Sequence, residues 1–132
     1  MRYLLDTNTC IAVMRNHPKV VMRMAASSPG DCGISTITYY ELCTGVAKSA
    51  NPAREKAKVD FLVRTVQLLP FEMIAANEAG RLRAFLESQG TPIGPYDTLL
   101  AGQASALSLT LVTNNVKEFS RVPGLAIENW QA

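Results

Sequence analysis

Five short apolar runs punctuate the sequence: Tyr3 to Leu5, Cys32 to Ile34, Val66 to Leu69, Leu109 to Val112 and a weaker one at Leu125 to Ile127. Bounded by turn or cap residues, they have the length of strands. The longer stretches between them, such as Ala53 to Thr65 and Glu72 to Gln89, carry helical spacing. Strands alternating with helices dictate right-handed crossovers. The expected fold is therefore α/β, a mainly parallel sheet of about four to five strands with helices on both faces. Gly90 stands where a helix C-terminal cap is expected after Gln89. Ser49-Ala50-Asn51-Pro52 reads as a helix-to-helix turn, and Gly90 to Pro95 as a rigid loop. At 132 residues and 48% hydrophobic, the chain is expected to be one domain, residues 1–132, with a core that needs no disulfide or structural metal.

Composition narrows the function classes. No apolar run reaches the roughly 18 residues of a membrane span, and the N-terminus lacks the order of a signal peptide, so a cytoplasmic protein with no membrane partner is expected. Cys10, Cys32 and Cys43 are odd in number and lack CxxC spacing, which predicts buried free thiols. The single histidine, His17, precedes a proline and reads as a surface residue. With no GxSxG elbow and no Gly-rich phosphate loop, a Ser-His-Asp hydrolase or a phosphate-loop nucleotide site is disfavoured. The net charge is only +2, yet residues 1–66 hold nine Lys/Arg against five Asp/Glu, and residues 67–132 hold four against six. Lys48, Arg54, Lys56, Lys58 and Arg64 are candidates for a phosphate-tracking segment, with a solvated helix face as the competing reading.

The carboxylates are more telling. Asp6 ends the first strand in LLDTNTCI, at the sheet edge where open parallel sheets bind ligands, although Asp6 or Thr7 would also cap a helix beginning near Asn8. Glu41 follows the second strand in ISTITYYELCTG, inside a helix capped by Thr36 or, as a capping box, by Thr38. Asp97, in GTPIGPYDTLLAGQA, falls in the first turn of a helix preset by Gly94-Pro95, where the helix dipole favours its ionised form. Leu100, Ala101 and Ala104 share its inward face. After the fourth strand come Thr113, Asn114 and Asn115, with Glu118 three residues on. Converging carboxylates repel unless a cation compensates, and oxygen-only donors favour Mg²⁺ or Mn²⁺ over zinc.

These four motifs, closing with VTNNVKEFSRVPGLAIENW, resemble in order and spacing the PIN-domain ribonucleases of the VapC toxin type, over nearly the whole chain. The resemblance implies that Asp6, Glu41 and Asp97 hold Mg²⁺, and that Thr113 and Asn115 stand at a fourth position often occupied by aspartate. An amide there leaves Glu118 to supply the missing charge. It also implies a homodimer, a cognate VapB-type antitoxin that blocks the site, and RNA as substrate, in many members a transfer RNA.

Chemistry supports the same reaction. Metal-activated water needs no side-chain nucleophile and leaves a 5′-phosphate. In that scheme Asp6 and Asp97 are direct ligands, Glu41 acts as a ligand through water or as an orienter of the attacking water, and Asn115 is a positioning residue. Thr7 and Thr113 are expected to position substrate. The competing readings are a non-catalytic RNA-binding or interaction module and a haloacid-dehalogenase-like phosphatase, in which Asn8 would replace an essential aspartate.

Overall fold

The computed structural model describes residues 1–28 and 30–132. In chain order the elements are β1 (Tyr3–Leu5), α1 (Thr7–Met14), α2 (Pro18–Ala26), β2 (Cys32–Ser35), α3 (Thr36–Lys48), α4 (Pro52–Thr65), β3 (Gln67–Leu69), α5 (Met73–Ser88), α6 (Pro95–Ala106), β4 (Thr110–Val112), α7 (Val116–Phe119) and β5 (Ile127–Glu128). The five strands pair in the order β3-β2-β1-β4-β5, and every pairing is parallel.

Side chains alternate across the sheet and divide the interior into two cores. Tyr3 and Leu5 pack on one face with Cys10, Val20, Leu42, Val59 and Leu62 from α1 to α4. Leu4 and Leu111 pack on the other with Leu82, Leu86, Leu100, Ala101 and Phe119 from α5 to α7. Because β1 is covered on both faces, its run is apolar at every position. On the second face α6 lies so close to α5 that a Cβ at Gly102 would meet backbone and Cβ atoms of Ala79 at 2.6 Å.

Three helices end in the same device. Asn16, Gly90 and Ser108 are left-handed, with φ of 58°, 71° and 55°. Each is followed by an amide that reaches back to the helix: His17 N–H donates to Ala12 O at 2.9 Å, Thr91 N–H to Leu86 O at 2.9 Å, and Leu109 N–H to Ala104 O at 2.9 Å. These bonds satisfy carbonyls that the helix end orphans. Of the three, Gly90 is the one anticipated from sequence.

Several local expectations are corrected. The strands begin or end one or two residues from the apolar runs, because pairing rather than hydrophobicity sets their limits. Cys43 is exposed, since Leu42 and Thr38 take the inward face of α3 and position 43 turns outward. His17 is half-buried at the start of α2, and its Nδ1 is buried without a hydrogen-bond partner. Neither Thr36 nor Thr38 caps α3. Ser35 does, its hydroxyl accepting from Ile37 N–H at 3.0 Å, while Thr36 Oγ1 accepts from Phe71 N–H at 3.1 Å.

Candidate active site

From β1 the chain steps outward to β2 and β3, then returns to the opposite side of β1 for β4 and β5. The direction of winding reverses between β1 and β4, and at such a switch point the two crossovers leave a crevice beyond the carboxyl ends of the strands. Asp6 follows β1 directly and Thr113 follows β4 directly, so both stand at its floor.

Asp6 is 4% exposed. The cap reading holds, its Oδ1 accepting from Thr9 N–H at 2.8 Å at the start of α1, and the same carboxylate stands at the end of β1. Burial raises its pKa, partly offset by hydrogen bonds from the Thr113 hydroxyl and from Thr9. Glu41 comes from α3, six residues past the cap, where no capping role remains. Thr7 Oγ1 donates to its Oε1 at 2.7 Å and so ties α3 to the start of α1.

Asp97 and Glu118 form the tightest part of the cluster. Burial first, then the charges of Glu118 and Asp6, push the Asp97 pKa up to about 6. The helix dipole expected to favour its ionised form is outweighed, because desolvation and like charges act at shorter range. Glu118 is held below its usual range, chiefly because its Oε1 accepts from Gly94 N–H at 2.7 Å. Its Oε2 accepts from Asn115 Nδ2 at 2.5 Å. Gly94 leaves room for this pair, since a Cβ there would lie 3.3 Å from Asp97 Oδ2 and 3.7 Å from Glu118 Oε1. Asn115 thus reaches the cluster through Glu118, and its own N–H donates to Thr113 Oγ1 at 3.0 Å.

The donor set is carboxylate, hydroxyl and amide oxygen, which fits a hard divalent cation. Among the described residues no three His, Cys, Asp or Glu side chains close around one point. Hydrogen bonds from Thr9, Thr7, Gly94 and Asn115 orient the Asp6, Glu41 and Glu118 carboxylates in the protein alone. Such a set suits Mg²⁺, which keeps several waters and binds through one or two carboxylates. Asn8, the position a haloacid-dehalogenase-like phosphatase needs acidic, is exposed on α1.

Two lysines of the basic segment are paired on the surface. Lys56 pairs with Asp60 at 2.8 Å and Lys58 with Glu55 at 3.2 Å, while Lys48, Arg54 and Arg64 pair with no acid among the described residues. A cavity of ≈ 320 Å³ runs from Thr7 and Glu41 to Arg15 and Lys58. Arg15, the C-cap of α1, continues the face of Thr7 and Ile11 at intervals of four, a spacing readable in the sequence. A larger apolar cavity of ≈ 680 Å³ lies away from the acids, lined by Val13, Val21, Met24, Phe61 and Leu62 among others.

Known proteins resemble the chain over nearly its whole length. The family described as PIN domain matches residues 3–125. The chain is 40% identical over 130 residues to the tRNA(fMet)-specific endonuclease VapC of Salmonella typhimurium, and 38% identical over 133 residues to Ribonuclease VapC2 of Rickettsia felis, covering 98% of each chain in both pairings. It superposes with a TM-score of 0.94 on the crystal structure of DNA-bound VapBC from Salmonella typhimurium, at 40% identity and 98% coverage of both chains.

Proposed function

We propose, from the premise that this chain belongs to the PIN-domain family, that it is a divalent-metal-dependent endoribonuclease and the toxin of a toxin-antitoxin pair. PIN-domain nucleases are generally divalent-metal dependent, and Mg²⁺, with Mn²⁺ as a substitute, suits the oxygen donors here. The observation that carries the reading is the opposed Asp97 and Glu118 pair beside Asp6 and Glu41, at the switch point of a parallel sheet.

Asp6 and Asp97 would hold the cation directly, and Glu41 through water. Bound there, Mg²⁺ supplies a lowered pKa for water and neutralises charge on the phosphoryl oxygens. The chain's own residues do the rest. Thr7 Oγ1 fixes the Glu41 carboxylate, and the Thr113 hydroxyl steadies Asp6. Gly94 N–H and the Asn115 amide keep Glu118 ionised. Attack by water rather than by a side chain leaves a 5′-phosphate and a 3′-hydroxyl.

Transfer RNA is the proposed substrate, in line with the name of the Salmonella relative. A VapB-type antitoxin is the proposed partner, in line with the solved VapBC complexes. A homodimer in the cytoplasm and one domain over residues 1–132 complete the reading. No helix among the described residues is long and apolar enough to cross a membrane.

The test is cleavage of transfer RNA by the purified protein with Mg²⁺ or Mn²⁺. Cleavage should stop in chelator, and the products should carry 5′-phosphates. Undiminished cleavage in excess EDTA would sink the metal mechanism.

A further inference from the structure

Two of the site's carboxylates are each preceded by a tyrosine: Tyr40 before Glu41 on α3, and Tyr96 before Asp97 on α6. The structure brings these tyrosines together. Their ring centroids lie 5.6 Å apart with planes at 63°, and their hydroxyl oxygens are 3.1 Å apart. The pair therefore bridges the two helices that deliver Glu41 and Asp97, and the Glu41 charge is felt at the Tyr96 phenol. Neither ring belongs to a core cluster. Tyr40 is 53% exposed and Tyr96 is 42% exposed, so ring face is open to solvent at the rim of an acidic crevice.

We propose that Tyr40 and Tyr96 form a stacking platform for a nucleobase next to the scissile phosphate, so that the site takes an unpaired stretch of RNA. This deepens the ribonuclease reading and rests on it. An uncharged aromatic surface beside carboxylates neither attracts nor repels a phosphate, whereas every nucleobase has a π-face that stacks on such a ring. The cations suited to the sugar-phosphate backbone, Arg15 and Lys58, line the cavity that runs from Glu41 along α1 and α4. Backbone and base thus have separate complementary surfaces around one acidic centre. The hydroxyl pair crosses from α3 to α6 and holds the two rings at a fixed angle, which lowers the ordering cost of stacking. A paired base inside a helix cannot reach either ring, and unpairing supplies selectivity for loops and ends.

The test begins by mapping a bond that the wild-type protein cleaves in transfer RNA with Mg²⁺, then uses a short single-stranded RNA spanning that bond. A second oligonucleotide carries an abasic ribose beside the bond. For wild-type protein the abasic ribose should raise KM on the order of tenfold, as expected for one lost stacked base. Tyr40→Ala and Tyr96→Ala should lower kcat/KM mainly through KM, and should no longer distinguish the abasic from the intact oligonucleotide. Tyr40→Phe and Tyr96→Phe should keep that distinction. Alanine variants that keep the full abasic penalty overturn the proposal while leaving the ribonuclease reading intact. Alanine variants that keep the penalty but turn a wild-type dimer into a monomer by light scattering also overturn it, and assign the rings to an interface between copies. Failure of the wild-type protein to cleave any RNA would instead remove the reading on which the proposal rests.

Discussion

Asp97 sits in a helix first turn, where a carboxylate ordinarily ionises easily, and it does the reverse because burial, then Glu118 and Asp6, act on it. Its folded pKa of about 6 lies above the unfolded value of 3.8, so the ionised form costs the metal-free fold stability. The cost is full above pH 6 and fades as pH falls from about 6 to 3.8, where both folded and unfolded forms become protonated. Replacing Asp97 by Asn removes the charge and keeps the shape. At pH 7 the metal-free variant should melt higher than wild type, with the difference vanishing below about pH 4. RNA cleavage should be lost at every pH. A variant that melts well below wild type at pH 7 would show that the helix-start carboxylate stabilises the fold instead. The residues themselves were legible: Asp6, Glu41, Asp97 and Glu118 stand out as acids at strand ends and helix starts. Their partners were not, since no spacing rule connects Thr7 to Glu41, or Gly94 to Glu118, across 34 and 24 residues.

At the scale of elements, α5 and α6 show how one missing side chain sets a helix crossing. Gly102 abuts Ala79, and an added methyl would sit 2.6 Å from its backbone. Gly102→Ala should destabilise the protein by about 1–3 kcal/mol, the usual cost of overpacking, even though alanine is the better helix former. Urea unfolding checks this, and an unchanged or higher midpoint would mean that the helices part freely. Because α6 carries Asp97 at its first turn, the variant should also weaken cleavage. The α4 segment shows charge pairing along one helix surface. Lys56 pairs with Asp60 and Lys58 with Glu55 at helical spacing, exposed pairs weak enough to leave both lysines open to a phosphate.

For the whole molecule, α1, α3 and α4 together line the cavity proposed for the RNA backbone. Replacing both Arg15 and Lys58 by alanine should weaken binding to all RNA sequences alike. Each lost phosphate contact should flatten the log-log salt slope by up to about 0.7 on single strands. An unchanged slope would move the backbone track elsewhere, with Lys48 and Arg54 the next to examine. The assembly prediction draws on the apolar surface left over once both cores are filled. Met73 is 86% exposed and Ile74 is 61% exposed at the start of α5. Surface of that kind favours pairing of copies, and light scattering should find a dimer at micromolar concentration. A monomer at that concentration would contradict it.

Local chemistry carried much of this protein. Apolar runs of strand length, helical spacing between them and a carboxylate at the end of the first strand determine an α/β sheet with an acidic edge, because strand period and helix period are properties of neighbouring residues. Gly90 and the Gly94-Pro95 helix start belong to the same class. Only the tertiary structure decided that β4 returns beside β1, which places Thr113 and Glu118 against Asp6 and Asp97. It alone turned Cys43 outward, chose Ser35 over two threonines as a cap, and raised the pKa of an acid that the helix dipole should have lowered. Each of these outcomes depends on which groups meet through space, and Coulomb and burial terms follow distance in three dimensions rather than along the chain.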